Sequence, residues 1–283
     1  MNDVAWATPG TGLPSPMVDN HCHLDFPYRG AEPRSTSQIL DEAAAVGVTR
    51  AVQIGCDIAS ARWTAQAIQE DDRLVGGVAL HPNEAPLHAA GEHDSGLDYQ
   101  EALAEIARLA RVPRMRVIGE TGLDYFRTEP ERRDAQVTSF RDHIALAKEL
   151  DLVLQIHDRD AHADVLEILE RDGAPELTVF HCFSGDAGMA KLCAHRGYYV
   201  SFAGNVTFKN ATALRAALAV TPLERVLVET DAPFLTPHPQ RGRVNSPSQV
   251  ATTMLTIAEV TGSDLEFACA TINGTSERLY GPW

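Results

Sequence analysis

Leu152-Val153-Leu154-Gln155-Ile156-His157 and Val226-Leu227-Val228-Glu229-Thr230 are apolar at nearly every position. Strict alternation would mark a strand with one wet face. Near-continuous runs mark strands covered on both faces, as in a parallel sheet flanked by helices. Working outward, strands are expected at Met17–Asn20, Arg50–Gly55, Leu74–Leu80, Arg116–Glu120, Leu152–His157, Leu177–His181, Tyr198–Phe202 and Arg225–Thr230. The stretches between them carry helical spacing. Val137, Phe140, Ile144 and Ala147 form one apolar stripe that ends near Leu150; Ile39, Leu40, Ala43 and Val46 form another, stopped by Gly47. A helix over Ala211–Val220 is halted by Pro222. Eight β/α alternations in one composition regime predict an α/β fold, a single (β/α)8 barrel of TIM type. The competing open doubly wound sheet lacks a GxGxxG turn after the first strand.

The length of 283 residues suits one such barrel, which takes about 250. Residues 1–16 hold Pro9, Pro14, Pro16, Gly10 and Gly12 without periodicity and are expected as a flexible tail, leaving residues 17–283 as one barrel domain. With 24 basic and 39 acidic residues the formal charge is −15, which excludes a generally basic nucleic-acid coat but permits a local basic rim. No run of eighteen apolar residues exists, so no membrane span is expected. MNDVAWATPG lacks the basic start and apolar stretch of a secretory signal, and the five cysteines include no CxxC pair. A cytoplasmic enzyme with free thiols and no obligate protein partner is expected.

The first strand runs into Asp19-Asn20-His21-Cys22-His23-Leu24-Asp25. Residues two apart on a strand share a face, so His21 and His23 can aim two imidazoles at one point. Such a pair is weak evidence by itself. Glu120, however, closes the fourth expected strand, His157 the fifth and His181 the sixth, and Asp231 follows the eighth. A polar residue after one apolar strand could be a helix cap. That reading accounts poorly for histidine or carboxylate at five separate strand ends, the end of a barrel where active sites are built. Six ligands exceed one tetrahedral zinc and suit two divalent ions, Mg, Mn or Zn, about 3.5–4 Å apart. Glu120 is the expected bridge, with His21, His23 and Asp231 completing the first site and His157 and His181 the second. Water must fill more of the second site, so it is expected to bind its ion more weakly. Cys22 and Cys182, each beside a ligand histidine, are expected to turn away as small buried hydrophobes.

At this point the sequence resembles the TatD family of metal-dependent deoxyribonucleases. The resemblance runs from Val18 to the C-terminus and rests on DNHCHLD (19–25), His81-Pro82, GETGLDY (119–125), QIHDR (155–159), HCFSG (181–185), GNVTFKNA (204–211), ETDAPFL (229–235) and RGRVNSP (241–247). It implies the same six metal ligands. Asp158 stands where the family usually has serine, and Val78-Ala79 is an unusual lead-in to the third loop; neither touches a ligand.

Beyond the ligands, Glu229 lies two before Asp231 and could orient water or steady a ligand, with a buried ion-paired carboxylate as the alternative. His81 is read as a substrate contact or proton donor, a reading the resemblance favours over a turn histidine. Asp231, Glu229 and His81 are thus the catalytic candidates. Arg159, Lys209, Arg241 and Arg243 follow strand ends and form the expected phosphate-binding collar, with Tyr125 and Phe126 as possible base-stacking rings. The leading expectation is a two-metal hydrolase cleaving phosphodiester bonds by metal-activated water, a deoxyribonuclease with DNA as substrate. The alternatives are hydrolysis of a small amide, lactone or aminoacyl ester, and a non-catalytic metal-containing binding protein.

Overall fold

A computed structural model describes residues 4–28 and 30–283. Its eight strands are β1 (Met17–Cys22), β2 (Val48–Gly55), β3 (Leu74–Val78), β4 (Met115–Asp124), β5 (Val153–Arg159), β6 (Thr178–Phe180), β7 (Tyr199–Phe202) and β8 (Val226–Val228). They follow one another in chain order in a single sheet, and the fold is the expected α/β barrel of eight parallel strands. The helices among the described residues are α1 (Thr36–Ala44), α2 (Ile58–Glu70), α3 (Ala85–Ala90), α4 (Tyr99–Leu109), α5 (Arg133–Leu150), α6 (His162–Asp172), α7 (Ala187–His195), α8 (Thr212–Val220), α9 (Val250–Thr261) and α10 (Leu265–Tyr280). None is long and apolar enough to cross a membrane. By contact density the chain divides into two compact units, Met1–Gln53 with Gly185–Trp283, and Ile54–Ser184.

In the first unit β1 pairs with β2 and β7 with β8, and a parallel bridge from Cys22 to Ala232 sets the end of β1 beside the segment after β8. Met17, Val52, Phe202, Leu227 and Ile257 are fully buried here, each apolar side chain contributing roughly 1.5–3 kcal/mol. Of the segment expected as a flexible tail, the described part packs onto this unit. Trp6 is buried, Ala7 N–H donates to Val244 O at 2.9 Å, and Val244 N–H donates to Ala5 O at 3.0 Å. Proline and glycine content masked an extended segment that finds its backbone partner more than two hundred residues away.

In the second unit β3, β4, β5 and β6 pair in succession. Helix α5 lays Phe140, Ile144 and Ala147 into the core, as the stripe predicts, but Gln136 and Ser139 are buried where Val137 is only half-buried. Polar burial replaces apolar burial there because Gln136 hydrogen-bonds Pro82 O and the Asp124 backbone. Two strand ends also differ from expectation. Glu120 does not close β4, which continues to Asp124, and His157 does not close β5, which continues to Arg159. Glycine permits the extension. At Gly122, φ is +143°, and a Cβ would stand 2.0 Å from His157 O, so only glycine lets the strands pair at this point.

Candidate metal centre

Backbone hydrogen bonds gather the first cluster. Asp231 N–H donates to His21 O at 2.9 Å, and His23 N–H donates to Ala232 O at 2.8 Å, so the segment after β8 continues the ladder beside β1. Asp231 turns into left-handed backbone at φ 55°, a conformation Asp tolerates better than most residues. Beneath it lies Asp19, fully buried, whose carboxylate accepts from the Thr230 N–H at 2.9 Å, the Thr230 hydroxyl, and the His21 N–H at 3.3 Å. Asn20 adds a bond to Val228 O. Asp19 and Asn20 thus tie the His21 backbone to Thr230 and Val228, just before Asp231.

The side chains then converge. His21 Nε2 and His23 Nε2 are 3.2 Å apart, and Asp231 Oδ1 lies 3.8 Å and 3.4 Å from them. Donors bound to one tetrahedral zinc at about 2.0–2.1 Å are about 3.3–3.4 Å from each other, so these three atoms fit one face of a coordination shell. A Glu229 carboxylate oxygen lies within 4.8 Å of a His21 ring nitrogen, and Glu229 is fully buried.

The second cluster stands on β4, β5 and the segment after β6. Glu120 Oε2 is 2.7 Å from His181 Nε2, 3.0 Å from His157 Nδ1 and 3.7 Å from His81 Nε2. Burial works against the Glu120 charge, but the surrounding imidazoles outweigh it and hold the carboxyl well below its ordinary range. His157 moves upward for the reciprocal reason: burial opposes its charge, while hydrogen bonding to Asp124 and Glu120 favours it. His81 goes the other way. Burial pushes it down to about 3, Glu120 only partly opposing, so its imidazole is neutral. The sequence expectation of six histidines and carboxylates therefore meets two local clusters, each with the donor chemistry of a divalent-ion site.

Comparison with known proteins gives the family. The family model described as "TatD related DNase" matches residues 18–281. The chain belongs to the TatD-related DNase family. An uncharacterized metal-dependent hydrolase TatD of Mycobacterium tuberculosis is 40% identical over 272 residues, covering 94% of this chain and 98% of that protein. The uncharacterized metal-dependent hydrolase YabD of Bacillus subtilis is 36% identical, covering 93% and 98%. In structure the chain is similar to YjjV, a TatD homologue of Escherichia coli, with a TM-score of 0.82 and 25% identity over 94% of this chain and 98% of that one. These relations place the chain among the TatD-family metal-dependent hydrolases.

The remaining residues expected of this TatD-family site separate by environment. Arg159 lies with its guanidinium 3.9 Å from the centre of the Phe126 ring, which is 63% exposed. Arg241 covers Phe208 at 4.1 Å. Each guanidinium is thus held over an aromatic ring. Lys209 is exposed. Arg243 is engaged elsewhere: its Nη1 donates to Trp6 O at 3.5 Å. Tyr125 donates its hydroxyl to Asp164 and lies under Arg133, which occupies it as a packing residue. Cys22 is buried as expected, whereas Cys182 sits half-buried outside any strand with φ at 42°, so strand alternation does not govern it.

Three site residues escaped the sequence reading. Cys56, just after β2, donates its thiol to Glu120 Oε1 at 3.2 Å. Asp124 Oδ2 stands 3.4 Å from His157 Nε2. Asn83 donates its backbone N–H to His81 Nδ1 at 3.0 Å and its amide to Asp124 Oδ2 at 3.4 Å. Asp124 lies within the quoted GETGLDY and Asn83 two beyond His81, so position alone could have flagged them; their partners could not be inferred.

Proposed function

We propose that the chain is a two-metal hydrolase of phosphodiester bonds, a deoxyribonuclease with DNA as its substrate. The observation that carries this reading is the pair of clusters, His21/His23/Asp231 and Glu120/His157/His181, each combining imidazoles with a carboxylate. Divalent ions held there would lower the pKa of water and polarise a phosphoryl oxygen. Glu120 has two oxygens to share and is the proposed bridge. Glu229, buried beside His21, steadies that ligand and orients water. His81, neutral and with Nδ1 occupied by Asn83 N–H, carries its proton on Nε2 and offers that N–H as a hydrogen bond to a phosphate oxygen or the departing oxygen.

Substrate choice rests on the membership in a family described as DNase and on the basic side chains. Arg159, Arg241 and Lys209 supply positive charge on a chain of net −15. Two of them are backed by aromatic rings that a base could extend by stacking. Arg243 is a weaker member, since it is spent on Trp6. The test is hydrolysis of single- and double-stranded DNA by protein stripped with a chelator and then resupplied with Mg2+ or Mn2+. Loss and recovery of cleavage are expected. Undiminished cleavage by the stripped protein would overturn the proposal, as would turnover of small esters or lactones with none of DNA.

A further inference from the structure

His157 and His81 stand side by side, ring centres 4.6 Å apart, yet the chain prepares them for opposite tasks. We propose that Asp124 and Asn83 are positioning residues that keep the proton of each imidazole on Nε2, so that His157 offers a bare Nδ1 to a metal ion while His81 offers an N–H to substrate. The inference rests on the proposed ligand role of His157.

The hydrogen bonding fixes the pattern. Asp124 is anchored before it reaches His157. Its Oδ1 accepts from the backbone N–H groups of Phe126 at 3.1 Å and Arg127 at 2.9 Å, and its Oδ2 accepts from Asn83 Nδ2 at 3.4 Å. Three contacts from donors favour the ionised carboxylate. An ionised carboxylate can only accept, so the facing His157 Nε2 must carry the proton. That nitrogen is buried, lies 3.4 Å from Asp124 Oδ2, and has no other polar partner. The contact is an ion pair at 3.4 Å rather than an aligned hydrogen bond. The other nitrogen, Nδ1, faces Glu120 Oε2 at 3.0 Å, the atom that His181 also approaches; without an ion it shares a proton with that carboxylate, and an arriving ion would take the proton's place. Carboxylates that receive the far N–H of a ligand histidine orient the ring and raise its basicity.

Asn83 does the converse for His81. Its backbone N–H donates to His81 Nδ1, which must therefore be unprotonated, and the proton goes to Nε2 on the Glu120 side. His81 Nε2 lies near the carboxylate of the second cluster but is closed to ligation as long as it holds that proton. One asparagine joins both imidazoles, through its main chain to His81 and through its amide to Asp124.

The experiment uses the full chain, 15N-labelled at histidine and loaded with 113Cd, with no substrate present. His157 is expected to show cadmium coupling at Nδ1 and a protonated Nε2. His81 is expected to show a protonated Nε2 and no coupling. Asp124→Asn keeps an oxygen for the Phe126 and Arg127 amides but removes the charge facing His157. It should weaken the second cadmium about 10–100-fold and leave the first in place, and Asp124→Glu should recover part of the loss. Coupling at His157 Nε2, coupling at His81, or an Asp124→Asn protein that binds its second ion as tightly as the parent would overturn the inference. If His181 couples and His157 does not, this assignment alone fails. If neither couples, the proposed second metal site fails with it.

Discussion

His143 shows at the scale of one residue how a histidine serves the fold rather than the chemistry. It is fully buried on α5. Its Nδ1–H meets Ser139 O at 2.7 Å, and its Nε2 accepts the N–H of Leu80 at 3.1 Å, the residue before His81. Burial holds its pKa below the ordinary range and outweighs the Ser139 bond, so the folded state keeps it neutral. The unfolded chain takes up a proton below about pH 6.5. The sign follows: stability from His143 is present above that pH and falls as pH drops. Replacement of His143 by Leu should cost about 1–3 kcal/mol at neutral pH through the orphaned Leu80 N–H. The decline of stability between pH 7 and 5.5 should also become shallower than in the parent. Urea titrations of the metal-free proteins measure both; an unchanged pH slope would remove His143 as its source. Sequence reading has no signal for this role, since His143 lies within a helix and not at a strand end. It missed Asp124, Asn83 and Cys56, because a residue that acts by touching a ligand leaves no spacing of its own.

At the scale of elements, the β4–β5 pair carries both Glu120 and His157, and their registration depends on Gly122 opposite His157. Gly122→Ala brings a Cβ against a backbone carbonyl that cannot move without shifting the ligand. A loss above about 3 kcal/mol is expected, well beyond the ordinary cost of a surface substitution. Denaturant midpoints of parent and variant decide it, and a variant within about 0.5 kcal/mol of the parent would show that β4 is not so constrained. By contrast, Asp98 caps α4 with a reciprocal box to Glu101, far from the ligands in role, and Asp98→Ala should cost about 1 kcal/mol and leave metal binding untouched. Most element positions were legible because apolar runs and helical stripes are local. The run of β4 to Asp124 was not, since GETGLD is not apolar and pairs only because β5 lies alongside. The packing of Trp6 and Ala7 onto Val244 was equally invisible, being a contact between distant segments.

At the scale of the whole chain, an acidic barrel is proposed to meet a polyanionic substrate through a few basic side chains. Arg241→Ala with Lys209→Ala should weaken single-stranded DNA binding in low salt and flatten its salt dependence by the share of two phosphate contacts, roughly 0.7 per contact on a logarithmic plot. A slope equal to that of the parent would detach these residues from DNA. The fold class and the six ligand candidates were readable from sequence because a barrel puts chemistry where strands end; the ordering of Arg159 and Arg241 by aromatic rings, and the engagement of Arg243 with Trp6, needed coordinates. The central proposal is that two unequal ion sites act together. Titrating Mn2+ into the chelator-stripped protein, with bound ion and DNA cleavage followed in the same samples, tests it most directly. Tight uptake of one equivalent without cleavage, followed by activity as a second, weaker equivalent fills, is the expected result; full activity at one equivalent would contradict it.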